Sequence, residues 1–277
     1  MMPAQAVERL AEASVHLSDA DLDRTYAWRD YREDGLRFAL LTAHHLLREA
    51  TATAAAARLG AGQPFTEAQR ILAQVHEAYR DLTGALAGTS EAELDQAPPD
   101  DQWPLREVLA HMLGAEKAFL AAIEVALDAV RSGKPSVGSE EAFKAKRAKA
   151  EDPSGSRADA ANALYRSHVA ILNALGSVTD AELDTPSYFW ESEPYPIRFR
   201  MHRFEEHMRQ HTIQVDKTRV ALGHPPTEAE RLVRNLYTAL AGLESVSAGT
   251  TAGRGIVDRV AASIDEIAAE AERVVSA

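Results

Sequence analysis

Apolar residues recur along this chain at steps of three and four over long stretches, the mark of helices that bury one face. No run alternates convincingly with a period of two. The pattern predicts helices over about 36–59, 67–87, 105–131, 157–176, 198–222, 228–246 and 255–275, with a weaker one near 4–16. The punctuation agrees. Thr66-Glu-Ala-Gln69 and Thr227-Glu-Ala-Glu230 read as capping boxes, in which a hydroxyl and a later Glu or Gln satisfy backbone N–H groups that have no partner inside the helix. Pro104 suits a first turn, and Gly60, Gly88 and Gly223 stand where helices should stop.

The two capping boxes lie 161 residues apart, and the offset holds more widely. Residues 18–23 (SDADLD) fall on 179–184 (TDAELD), Arg37-Phe38 on Arg198-Phe199, and Arg48, Thr51 and Arg58 on Arg209, Thr212 and Arg219. Between 17–88 and 178–249 about 19 of 72 positions are identical with no gap. A repeat this long implies two copies of a domain rather than a solenoid. The central helices, 67–87, 105–131, 157–176 and 198–222, can form one bundle. The terminal helices match the same four in permuted order: 4–16 and 36–59 the third and fourth, 228–246 and 255–275 the first and second. The expected architecture is all-α, with two four-helix bundles from an internal duplication. One is central, over 63–225; the other is degenerate and assembled from 1–62 and 226–277.

Two connections are long. Residues 132–156 are polar, carry Lys144, Lys146, Arg147 and Lys149, and read as a solvated linker. Residues 185–196 (TPSYFWESEPYP) hold Tyr188, Phe189, Trp190 and Tyr195, too many aromatics for a free loop, and read as a packed pocket wall.

Composition narrows the function. Hydrophobic residues make up 45% and charged residues 26%, the balance of a folded chain, and only 6% are aromatic. A net charge of −12 disfavours nucleic acid and anionic membranes as partners. There is no cysteine, so disulfides, thiolate ligands and a Cys nucleophile are excluded. A metal here needs His, Asp or Glu, and a reacting thiol must come from outside. No apolar stretch has signal-peptide or membrane-spanning length, so a soluble cytoplasmic protein is expected.

His207 and His211 stand one helical turn apart. Two imidazoles at i and i+4 can chelate one ion, or they can simply pack. Gln214 and Thr218 continue the same face. His111, among Val108, Met112, Phe119 and Ile123, is expected to point to the core and supply a third ligand. If successive helices alternate in direction, its helix runs parallel to that of His207, and the three rings fall near one level. Glu107, one turn earlier, is a candidate for hydrogen bonding to a ligand or for the fourth ligand, or is a first-turn Glu that complements the helix dipole. Glu116 points off that face. In the other copy His207 and His211 become Leu46 and Ala50, and His111 becomes Ala262 or Ser263. Joint loss suits a single site. His76 and His168 read as packed bundle histidines within reach of the pocket. His44 and His45 sit in the silent copy, with His16, His202 and His224 at the surface.

A Trp before a helix reading LREVLAHM..AEKAFL, then EEHMRQHTIQ about 90 residues later, resembles the DinB-like superfamily of metal-binding four-helix bundles. The resemblance covers about 66–223 and reaches the terminal half only through the repeat. It implies that the metal triad falls on His111, His207 and His211. It also implies kinship with mycothiol- and bacillithiol-dependent S-transferases and a mycothiol-dependent maleylpyruvate isomerase. Three protein ligands leave coordination positions open. The leading expectation is a metal-dependent enzyme, a transferase or hydrolase, that activates an external low-molecular-weight thiol or water. Zinc is expected first, with nickel, iron or manganese as alternatives. Trp103, Tyr188 and Trp190 are expected to flank the metal, and no catalytic acid or base is singled out. The alternative is a non-catalytic small-molecule-binding or interaction module with a vestigial site. Since bundles of this kind often pair, the silent copy is expected to replace a partner and leave a monomer.

Overall fold

The computed structural model describes the whole chain except Met1, Glu33, Asp100, Asp101 and Ser192. Among the described residues the α-helices are α1 (Pro3–Ser14), α2 (Asp19–Leu22), α3 (Leu36–Gly60), α4 (Glu67–Leu86), α5 (Glu91–Asp95), α6 (Leu105–Arg131), α7 (Glu140–Lys146), α8 (Arg157–Leu175), α9 (Ile197–Ala221), α10 (Glu228–Ser247) and α11 (Arg254–Ser276). Two-residue strands β1 (Pro186–Ser187) and β2 (Tyr195–Pro196) pair antiparallel just before α9. The fold is all-α, and the eight long helices fall within about two residues of the expected spans. The elements that periodicity does not reveal are those of one or two turns. Of these, α2 and α5 begin at capping boxes, Ser18 with Asp21 and Ser90 with Glu93. None of the described helices is long and apolar enough to cross a membrane.

The chain divides into two compact units. A central unit comprises 65–79 and 90–223, and a terminal unit comprises 1–64, 80–89 and 224–277. In the central unit α4 and α9 run parallel, since Arg198 pairs with Glu67 near both starts and Arg209 meets Glu77 further along at 3.4 Å. By contrast α6 runs antiparallel to α9. Glu93, ahead of α6, pairs with Arg219 near the end of α9 at 3.3 Å, while Phe119 packs on Phe204 towards its start. Helices α6 and α8 are parallel. Arg106 bonds Pro153 O just before α8, and Arg131 reaches Glu182 just beyond its end at 2.6 Å.

The order is therefore up, down, down, up, and the expected strict alternation is wrong. Two consecutive parallel helices require a connection that travels back along the bundle. With 27 residues, α6 is about 40 Å long at 1.5 Å per residue. Residues 132–156 make that return, and they are not a free linker. Within them α7 is capped by Ser139, whose hydroxyl accepts the Ala142 N–H. Lys146 pairs with Asp128 of α6 at 2.6 Å, and the Phe143 ring packs 5.5 Å from that of Phe189.

The terminal unit uses α1, α3, α10 and α11, with Leu10, Leu40, Leu47, Leu236, Leu240 and Ile264 fully enclosed. Its polar framework repeats that of the central unit at an offset of 161. Arg37 pairs with Asp23 and Glu228, as Arg198 pairs with Asp184 and Glu67. The Leu36 N–H donates to Arg24 O as that of Ile197 donates to Thr185 O. Thr25 bridges Gly35 where Pro186 pairs with Pro196. Thr51 donates to Leu47 O as Thr212 does to Met208 O. Gly62 and Gly223 both take left-handed backbone (φ +71° and +84°) just past α3 and α9, a conformation that glycine adopts without a Cβ clash. At the first of these ends it is Gly62, not Gly60, that turns the chain.

Candidate metal centre

Helix α9 buries a polar stripe between its apolar residues. His207 and His211 are 5% and 4% exposed on the face that meets α6. Their Nε2 atoms lie 3.1 Å apart, and that of His207 lies 3.3 Å from Nε2 of His111. One potential ligand atom from each ring lies within 4.8 Å of the others. Two nitrogens bound at about 2.0–2.1 Å to one tetrahedral ion stand about 3.3 Å apart, so the donor set fits a divalent metal.

The surroundings fix which nitrogen faces inward. Gln214 Oε1 lies 2.8 Å from Nδ1 of His211 and can only accept, so Nδ1 carries the proton and Nε2 turns its lone pair to the cluster. Burial, reinforced by the other two imidazoles and Arg203, pushes His207 down to about 3. Burial likewise lowers His211. Both rings are therefore neutral near pH 7, the form that binds metal.

His111 departs from expectation. It is exposed rather than turned to the core, and it sits at the mouth of the pocket under the Trp103 ring, 5.2 Å away. The pocket is a cavity of about 700 Å³ above the triad. Gln102 and Trp103 line it from the loop before α6, Phe119 from α6 itself, and Phe189 and Trp190 from the loop between β1 and β2. Arg203, Gln210 and Gln214 line it from α9. The structure thus brings Trp103, Trp190 and Gln214 to the triad. Tyr188 turns instead towards Gly138 of the crossover. Glu107 is exposed and belongs neither to the ligand cluster nor to the pocket lining.

Sequence reasoning missed two residues. Arg200, 1% exposed, donates to Glu191 at 2.6 and 2.7 Å and to Ser187 Oγ at 3.2 Å. The rings of Phe189, Tyr195 and Phe199 stand 5.4–5.8 Å from its guanidinium. It fastens the aromatic loop to α9. Glu116, set aside as off the His111 face, is 3% exposed, accepts a bond from Ser167 at 3.3 Å, and is pushed up to about 7 by burial. His76 and His168 pair with each other at 2.8 Å, and Tyr79 stacks on His168, so both are packed bundle histidines.

The family model of the DinB superfamily matches residues 74–215, about half of the chain, a span that includes all three clustered histidines. No curated protein and no solved structure matches the chain significantly. The chain belongs to the DinB superfamily.

Proposed function

We propose that this protein is a metal-dependent enzyme whose His111, His207 and His211 hold a divalent first-row ion, zinc first. Its substrates are an external low-molecular-weight thiol, or water, and a small electrophile. One observation carries the reading: three imidazole nitrogens converge at ligand spacing beside an aromatic cavity large enough for a small molecule. When bound, such an ion supplies Lewis acidity and lowers the pKa of a coordinated thiol or water. The chain's own residues do the rest. Gln214 holds the tautomer of His211, Trp103 braces His111, and Arg200 keeps Phe189 and Trp190 over the cavity, where they restrict water. The chain has no cysteine, so a thiol route uses a thiol from solution.

The test is consumption of 1-chloro-2,4-dinitrobenzene by zinc-loaded protein with N-acetylcysteine as the added thiol. The account expects turnover that requires zinc and is lost in His207→Ala/His211→Ala. Equal rates with and without zinc, or in the double variant, would remove the thiol-transfer reading.

A further inference from the structure

Of the 72 charged residues in this chain, 42 are acidic and 30 basic, yet the cavity wall has the opposite bias. Its described lining contains no carboxylate and one guanidinium, that of Arg203. The other polar groups are the imidazoles, the amides of Gln102, Gln210 and Gln214, and the indole N–H groups of Trp103 and Trp190. Arg203 lies one helical turn before His207, and its guanidinium sits 5.7 Å from the centre of the Phe119 ring, which packs edge-on against His207 at 5.5 Å. Among the described residues its one hydrogen bond goes to the exposed carboxylate of Glu206, from Nη1 at 2.9 Å. A surface pair of this kind contributes little and leaves most of the five donors of the fork for another acceptor.

The terminal unit supplies an independent comparison. Arg200, which holds the loop beside the cavity, is replaced there by Ala39, while three other arginines of α9 recur at the offset of 161: Arg198 as Arg37, Arg209 as Arg48 and Arg219 as Arg58. Arg203 does not. Its counterpart is Thr42, beside Leu46 and Ala50 in place of His207 and His211. The cation is absent where the imidazoles are absent, so it goes with the site rather than with the scaffold.

From these observations we infer that Arg203 is the specificity determinant for an organic anion, a carboxylate on a flat, unsaturated or aromatic body. A planar guanidinium matches a carboxylate fork to fork, and uncharged amide neighbours do not compete for it. Trp103, Phe119, Phe189 and Trp190 offer the flat walls that the body of such a ligand would pack against. This deepens the proposed function, on which it rests for the reaction but not for the binding. The anion is recognised by the chain itself, with or without metal.

The experiment uses benzoate and its uncharged isostere benzamide as probes, titrated into full-length protein with and without zinc and followed by ligand-observed NMR. The wild type should prefer benzoate by at least about tenfold in the metal-free state. R203Q should erase that preference, and R203K should restore part of it. Zinc titration of each variant is read in parallel. R203Q should keep zinc affinity while His207→Ala/His211→Ala loses it, so a failure of the metal centre shows separately. Equal binding of the two probes, benzoate binding unchanged in R203Q, benzoate binding that appears only with zinc, or no binding of benzoate to any form would each overturn the inference.

Discussion

In the central unit Arg198 reaches Asp184 and Glu67; in the terminal unit Arg37 reaches Asp23 and Glu228. Backbone bonds, glycine turns and threonine hydroxyls bonded to the carbonyl one turn back follow the same offset, and each set closes within its own unit. The interiors differ. Where α9 carries Arg203, His207, His211 and Gln214, α3 carries Thr42, Leu46, Ala50 and Thr53. Where the central unit buries Arg200 against Ser187, the terminal unit has Ala39 and Tyr26 at the matching positions, both buried in its core. The loops differ as well. Around Trp190 the central loop overhangs a cavity. Its counterpart is fastened to α11, with the Ala27 N–H on Glu270, Trp28 Nε1 on Glu266 and Arg29 on Ser263. The framework of this bundle therefore does not depend on its site, and the site is a set of side chains present or absent together. We read the pair as one domain duplicated, with the terminal copy filled in.

The largest effect expected from that comparison is at Glu191. Glu191→Ala leaves the buried Arg200 without its carboxylate and should cost about 3–5 kcal/mol in urea unfolding. Asp30→Ala, at the matching exposed position, should cost less than about 0.5 kcal/mol. Equal losses would mean that the two loops are held alike.

Next come two slopes of stability with pH in the metal-free protein. His207 takes up a proton near 6.5 when unfolded and near 3 when folded, so it makes stability fall as pH drops through that window. At about 1.4 kcal/mol per pKa unit this amounts to roughly 2–3 kcal/mol by pH 4.5. Glu116 works the other way. Its folded value near 7 lies above the unfolded 4.5, so its contribution is full below pH 4.5 and is lost as pH rises to 7. The slopes oppose each other in the wild type, so variants separate them. Between pH 4.5 and 6.5 thermal melts of His207→Gln should show more relative stability on the acid side, and those of Glu116→Gln less. Unchanged profiles would refute both assignments. The smallest effect is at Gln214. Gln214→Ala should weaken zinc binding about tenfold through loss of His211 orientation, whereas Thr53→Ala, its counterpart, should leave zinc binding unchanged.

Much of this was legible in the sequence, for identifiable reasons. Helix spans follow from apolar spacing, and the triad from i, i+4 geometry together with its joint absence in the matching segment. Helix direction was not legible, because periodicity reports which face is buried and not which way the helix runs. The length of 132–156 was the available clue. Arg200 carries no sequence signal because its partners, Glu191 and Ser187, come to it only once β1 and β2 pair. Glu116 lies five residues beyond His111, about 140° around the helix, a face that reads as solvent until α8 covers it. His111 is the converse case. Its neighbours in sequence are core residues, but the ring itself stands at an opening.

The central claim is one metal centre per chain, in the central unit alone. Elemental analysis of the purified protein after zinc loading and buffer exchange tests it directly. The account predicts one zinc per chain in the wild type and in Leu46→Ala, and none in His207→Ala/His211→Ala. Zinc retained by the double variant, or none in the wild type, would contradict it.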